Sequence, residues 1–333
     1  MKFTRTAKAA SLLAVSALAL STAAGVATSA QAASGVKVYV IGGMPSDPFW
    51  SVVKRGAEAA GQAVSAAGGS VTWLGPQNYD NLGPDAGKLV DNAVSAGADA
   101  IVIADWVPAA EDPAIKRAIA AKIPVVIYNA GGVAEVKATK ALTYIGSDEG
   151  VAGKAGGVYF ATHGVKNVLC VNTGPGNANY EARCNGIIAG EKSKGGKGKQ
   201  LPLPSSNFGN PTAVSNAVKA ALTKDKTITG VITLGVQDAD SSAAAITAAG
   251  LSGKVKLATF DMSTNTLTRI GAGSQLFAID QQPWLQGYLA TSVAWQYAQY
   301  GIKPATSPIL TGPAIVDSSN VALVKTGVAG GVR

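Results

Sequence analysis

Two kinds of apolar pattern alternate along the chain. Unbroken runs rich in Val and Ile, VKVYVIG (36–42), SVTWLG (70–75), ADAIVIA (98–104) and IPVVIYN (123–129), are separated by Ala-rich stretches of helical spacing over about 48–67, 83–96 and 111–121. Runs that are apolar without alternation fit strands covered on both faces, and strands spaced by single helices predict βαβ units in a parallel sheet. The pattern then restarts. VKNVLCVNTG (165–174), TITGVITLG (227–235) and KVKLATFD (254–261) repeat the layout of a strand opening into a polar loop, which predicts a second doubly wound α/β domain. One more strand, QLFAIDQQ (275–282), leads into a long helix, PWLQGYLATSVAWQYAQYG (283–301). Its Leu285, Leu289, Val293 and Tyr297 form an i, i+4 stripe that reads as core-facing. The chain is expected to pass between the domains more than once.

In doubly wound sheets ligands sit outside the carboxyl ends of the strands, and two such ends facing each other make a cleft. The residues at those ends are therefore the candidates. After the first strand comes GGMPSDPFWSVVKRG, in which Asp47 is a good N-cap and Pro48 a good first helical residue. Capping leaves Phe49 and Trp50 unexplained. Either ring alone can serve the core, but two in a first turn bordering the cleft point to a wall that stacks on the C–H faces of a sugar. Asp47 would then accept from hydroxyls. Trp106 stands just past the third strand, where it lines a cleft or packs under a loop, and Asn129 follows the next strand, before the close-approach pair Gly131-Gly132. In the second half Arg183 is a surface residue or a preorganised fork of donors, Asp261 a helix cap or an acceptor for two adjacent hydroxyls, and Gln281 ends a strand.

Composition narrows the setting. Aromatic residues make up only 6% of the chain, so the pairing of Phe49 with Trp50 is pointed. Lys2, Arg5 and Lys8 precede the apolar SLLAVSALAL, and Ala30-Gln31-Ala32 fits a small-x-small cleavage site, the layout of a secretory signal peptide over residues 1–32. Its apolar core is short for a membrane span, and no Cys stands at the cut to take a lipid anchor. Losing that leader takes three positive charges from a net +8, leaving +5. The cluster EKSKGGKGKQ (191–200) has no interleaved aromatic residue and reads as a solvated loop, not a nucleic-acid surface. Cys170 and Cys184 either close a disulfide, which an oxidising compartment permits, or remain two buried thiols. The single His163 reads as a helix C-terminal residue. No G-x-S-x-G elbow, carboxylate pair or metal-ligand spacing stands out, and NTGPGNANYEARCNG lacks the third Gly of a dinucleotide loop. An enzyme is not expected, nor a cofactor or metal.

At this point the residues resemble a known family. The export signal, VKVYVIGGMPSDPFWSVVKRGAEAAGQAV, ADAIVIA, IPVVIYNAG, YIGSDEGVAGKAG, GVITLGVQDA, KLATFDMS and FAIDQQPWLQGYLA are together similar, in order, to the ribose-type periplasmic sugar-binding proteins of ABC importers. CVNTGPGNANYEARCNG also resembles a branch with a paired Cys on this strand and helix. The resemblance implies two doubly wound domains, 33–146 plus 282–309 and 147–281 plus 310–333, with crossings near Ser147, Gln282 and Ser307–Thr311. It implies a monomer that closes on one sugar and hands it to membrane permease subunits, without cofactor. It places Asp47, Phe49, Trp50, Arg183, Asp261 and Gln281 at the ligand. The departures are informative: where the ribose binders carry an Asp-Arg pair this chain has Tyr128-Asn129, and GVQD (235–238), with Gln237, stands where they have Asn-Asp. A different pentose, a polyol or another small polyhydroxy compound is then as credible as ribose. A sensor of the same fold, a binder of a furanosyl signal molecule and a secreted enzyme remain alternatives.

Overall fold

A computed structural model describes residues 35–333. The expected leader lies outside the described residues. Five strands open the chain, β1 (Lys37–Ile41), β2 (Ser70–Leu74), β3 (Ala100–Ile103), β4 (Val125–Tyr128) and β5 (Tyr144–Ser147). They alternate with α1 (Pro48–Ala66), α2 (Leu82–Ser95), α3 (Pro108–Ala120) and α4 (Gly132–Thr139). The second half repeats the scheme with α5 (Glu149–Thr162), β6 (Asn167–Asn172), α6 (Ala178–Lys192), β7 (Lys197–Pro202) and α7 (Pro211–Lys224). It continues through β8 (Gly230–Thr233), α8 (Val236–Ala248), β9 (Lys256–Phe260), α9 (Thr264–Gly271) and β10 (Phe277–Asp280). The chain ends with α10 (Pro283–Tyr300), β11 (Ile309–Gly312), β12 (Ala314–Val316) and α11 (Val321–Ala329).

These strands form two six-stranded sheets in the orders β11-β5-β4-β3-β1-β2 and β12-β10-β9-β8-β6-β7. All pairings are parallel except that of β10 with β12. The reading of unbroken apolar runs holds where both faces are covered: every residue of β3, β4, β6 and β8 is buried. The outer strands β2 and β7 are half-exposed, and the Lys-rich segment ends in that edge strand rather than in loop alone. Each sheet carries cores on both faces, as in the Val40, Trp50 and Val102 cluster and the Ile41, Ile101 and Ile115 cluster.

Three segments join the lobes. β5 runs into α5, β10 into α10, and β11 into β12 through Pro313, a few residues beyond the 309/310 division read from the sequence. The difference arises because Ile309–Gly312 continues pairing beside β5 before the chain leaves the sheet. At Gly312 all three meet: a Cβ there would lie 2.8 Å from both Asp280 O and Ser147 Oγ. No side chain larger than hydrogen fits.

The stripe read on the long helix holds in part: Leu289 and Val293 pack, half-buried, against the core of the first sheet, whereas Leu285 and Tyr297 do not join it. The fully buried face of α10 is Gln286, Gly287, Ala290, Thr291 and Ala294. The reason is close helix packing. Gly287 lies against the backbone of Val53 on α1, and Gly56 of α1 against that of Trp284. Small residues bring the axes together and the larger ones flank the seam. The α5–α6 pair uses the same device, with Gly153 facing the Arg183 backbone and Gly186 that of Gly150.

Candidate functional site

Between the two sets of strand ends lies a cavity of about 250 Å³. All nine residues selected from the sequence line it: Asp47, Phe49, Trp50, Trp106 and Asn129 from the first lobe, and Arg183, Gln237, Asp261 and Gln281 from the second lobe and its crossing. They converge because each follows a strand end, β1, β3 and β4 on one side and β8, β9 and β10 on the other, with Arg183 one helix removed on α6.

In the first lobe Asp47 caps α1 and also lines the cavity. Its Oδ1 accepts from the Phe49 and Trp50 backbone N–H groups at 2.8 and 3.2 Å, capping α1, while Oδ2 accepts from the Tyr79 hydroxyl at 3.2 Å. Burial raises its carboxyl above the usual range, against the pull of those hydrogen bonds. Trp50 likewise belongs to the core and to the cavity wall. It is 6% exposed and makes edge-on contacts with Phe49, Trp106 and Tyr128 at centroid distances of 5.1, 5.3 and 5.9 Å. Such an aromatic box fixes the ring planes that face the cavity. Asn129 sits in the left-handed region (φ 60) and donates from Nδ2 to Gln286 Oε1 at 3.1 Å.

In the second lobe a buried chain of polar groups surrounds Arg183, which is 2% exposed. Its Nε and Nη2 bond the two oxygens of Glu149 at 2.6 and 2.9 Å, Nη2 also bonds Gln281 Oε1 at 2.5 Å, and Nη1 donates to Leu234 O at 3.2 Å. Gln281 Nε2 in turn donates to Asp261 Oδ1 at 2.7 Å. One Nη1–H of Arg183 and the Oδ2 of Asp261 stay outside this chain. The guanidinium stacks 4.5 Å over the Phe260 ring. Asp261, like Asn129 at the matching strand end, is left-handed (φ 66), a conformation that Asn and Asp tolerate best among residues with a Cβ. Burial pushes its carboxyl up to about 7 despite Arg183 and Gln281, which pull the other way. Asp238, deeper at the start of α8, is pushed to about 6 by burial while its Oδ2 holds the Thr173 hydroxyl at 2.8 Å. Cys170 and Cys184 are bonded, tying β6 to α6 one residue past Arg183. His163 caps the end of α5 and stacks on Tyr159, far from this constellation in role.

The sequence reading missed Tyr79, Asn179, Tyr180 and Phe208, all of which line the cavity. Tyr79 and Phe208 follow the outer strands β2 and β7, and their rings meet edge-on at 4.8 Å across the cleft mouth. The strand-end argument reaches them only when extended into the loops beyond these outer strands. A second bridge is the Ala178 N–H, which donates to the Trp106 carbonyl at 2.8 Å. Both contacts join the lobes beside the cavity. Asn179 is 5% exposed and its Oδ1 has no partner within the protein.

A cavity below the roughly 300–1,000 Å³ of drug-sized sites suits one small solute. Flat rings facing carboxylates, amides and one guanidinium N–H provide stacking and both hydrogen-bond senses. The chain belongs to the periplasmic binding protein family, whose domain pattern matches residues 38–303. A carbohydrate transporter from Acidothermus cellulolyticus 11B, solved in complex with myo-inositol, is 34% identical, with a TM-score of 0.81 over 90% of this chain and 99% of that one. A periplasmic solute binding protein of an ABC transporter from Actinobacillus succinogenes 130z, with bound D-allose, is 21% identical, with a TM-score of 0.74 over 86% of this chain and 99% of that one. A glucose-galactose binding protein from Geobacillus stearothermophilus is 18% identical at the same TM-score, over 86% and 98%. These last two share the fold. Comparison with curated proteins finds no significant match.

Proposed function

We propose that the protein is an extracytoplasmic solute-binding protein that captures one small polyhydroxy ring, a cyclic polyol or a monosaccharide, and delivers it to the membrane permease of an ABC importer. The observation that carries this reading is the two-sided cavity: an aromatic wall from one lobe opposes a preordered chain of Glu149, Arg183, Gln281 and Asp261 from the other. A ligand touching both sides stabilises the closed arrangement by its differential contacts, and the permease would read that form. The wall accepts ring C–H faces while Asp47, Asn129, Gln237 and Asp261 meet hydroxyls. A wrong solute leaves buried polar groups unpaired, which supplies selectivity. The 34%-identical relative with myo-inositol makes that cyclitol the first candidate. The lobes act as the two domains, hinged where the crossings meet at Gly312, in a monomer exported by its leader. No catalytic constellation enters this reading, and it is a carrier rather than an enzyme.

The test is a thermal-shift screen against inositols, pentoses, hexoses, polyols, nucleosides and amino acids, followed by calorimetry on any hit. A ligand at a hundredfold excess over its dissociation constant adds about 2.7 kcal/mol to stability, enough for a clear shift. A shift with myo-inositol or one other polyhydroxy compound is the expected result. A shift only with amino acids or nucleosides, or chemical turnover of the bound compound, would overturn the proposal.

A further inference from the structure

The cleft leaves one group of acids without a role. Among the described residues, Asp105, Asp112 and Glu135 each offer a carboxylate oxygen, all within 4.8 Å of one another. They come from three elements: Asp105 follows β3, Asp112 lies on α3 and Glu135 in the first turn of α4. Asp105 is 0% exposed, neither of its oxygens has a hydrogen-bond partner within the protein, and Asp112 Oδ1 is also buried and unpartnered. Glu111 adds a fourth carboxyl, with one oxygen accepting the Val107 N–H at 2.8 Å and the other buried without a partner. Among the described residues, the only cation paired with this group is Lys116, half-exposed, with Nζ 2.7 Å from Asp112 Oδ2. Four acids, of which Asp105 and Glu111 are fully buried, face one ammonium, and the excess negative charge is costly unless protons or a cation neutralise it. The crowding is built in: Gly131, at φ 87, presses the β4–α4 turn so close that a Cβ would lie 2.9 Å from Asp105 Cβ.

We infer that Asp105, Asp112 and Glu135 form a site for a hard divalent cation of the calcium class, set behind the wall of the cleft. The donors are all oxygen, the set that calcium and magnesium take and that softer transition metals do not select. Oxygens bound to one calcium ion at about 2.3–2.6 Å lie at most about 5 Å apart, so the spacing fits one ion, with water completing its shell. The ion would tie the β3–α3 loop, which carries Trp106, to the β4–α4 turn that follows Asn129. Its occupancy would therefore stiffen two segments of the cavity wall, a consequence that rests on the solute-binding reading, whereas the site itself does not.

The experiment uses metal alone. The protein is stripped with chelator, exchanged into metal-free buffer and titrated with CaCl2 by calorimetry, with thermal melts in parallel and no sugar present. One ion per chain is expected, half-saturating on the order of 10⁻⁴–10⁻³ M as in extracellular calcium modules, with a rise in melting temperature. Asp105→Asn and Glu135→Gln should each weaken binding about tenfold or more, since even outer-shell changes have that effect. Glu135 lies on the more exposed side, so its variant keeps the test decisive if Asp105→Asn fails to fold. No saturable binding of Ca²⁺ or Mg²⁺ at millimolar concentration would overturn the inference and leave protons as the neutralising charge. Calcium binding unchanged in both variants would overturn it equally, by placing the ion elsewhere. Either failure leaves a sugar titration free to succeed.

Discussion

The most searching test of the site is the pH dependence of affinity. Asp261 Oδ1 is held by Gln281, so Oδ2 is the oxygen left for a ligand. An ionised carboxylate there accepts two hydroxyl hydrogens, and charge-assisted bonds of this kind are roughly twice as strong as neutral ones. Burial pushes this carboxyl up to about 7 in the ligand-free protein. If the ionised form is the one that binds, apparent affinity scales with its fraction. Affinity then falls about tenfold at pH 6 and about a hundredfold at pH 5 relative to the plateau above pH 8, one decade per unit. The stability sign runs the other way. A carboxyl raised in the fold keeps its proton longer than in the unfolded chain, so ligand-free stability declines as pH rises from about 4 to about 7. Ligand at high pH offsets that decline. The assay is calorimetry with myo-inositol, or the polyol returned by the screen, from pH 5 to 9. Arg183, Glu149, Asp280, Asp47 and Asp238 also surround the site, so Asp261→Asn serves as the control: it should bind weakly with the slope below pH 7 removed. A dissociation constant that stays flat from pH 5 to 9, or the same slope in Asp261→Asn, would refute the reasoning.

Further outcomes follow from the same geometry. Arg183→Lys keeps the charge but not the fork that bridges Glu149, Gln281 and Leu234 O, so stability in urea should fall by about 3 kcal/mol, with ligand affinity weakened at least about tenfold. Gly153→Ala places a methyl against the Arg183 backbone where α5 and α6 touch, and should cost about 1–3 kcal/mol in a denaturant melt while lowering affinity through displacement of α6. Glu191 is fully buried with both carboxyl oxygens unpartnered, and burial pushes it up to about 7. Glu191→Gln should therefore stabilise the protein by about 1–2 kcal/mol at pH 8 and by little at pH 4, where the native carboxyl is already neutral; melts at both pH values check this.

How much of this was legible in advance depended on the kind of signal. Asp47, Trp106, Asn129, Asp261 and Gln281 were found by position alone, because a doubly wound sheet brings the carboxyl ends of its strands to one edge. Arg183 needed the family resemblance, since a charged residue on a helix far from a strand end reads equally as surface. Tyr79 and Phe208 are harder to read because they lie in loops well past the half-exposed outer strands β2 and β7, and β7, KGKQLP, has no apolar run to mark its end. The stripe on α10 locates only part of the packed face, Leu289 and Val293, because hydrophobicity marks large residues as core while a seam between closely packed helices is built from glycine and alanine.

The sequence by itself determined the architecture: apolar runs of strand length spaced by single helices leave one economical way to cover both faces of each sheet, and that way was taken twice. Only the tertiary structure decided what the side chains do. Periodicity is a local property, whereas the partners of Arg183 lie 34, 51 and 98 residues away along the chain. Whether Asp47 caps or binds, whether Trp50 packs or lines, and whether Asp105 meets a neighbour of like charge are set by contacts between segments far apart in sequence. No pattern along one strand or helix encodes them.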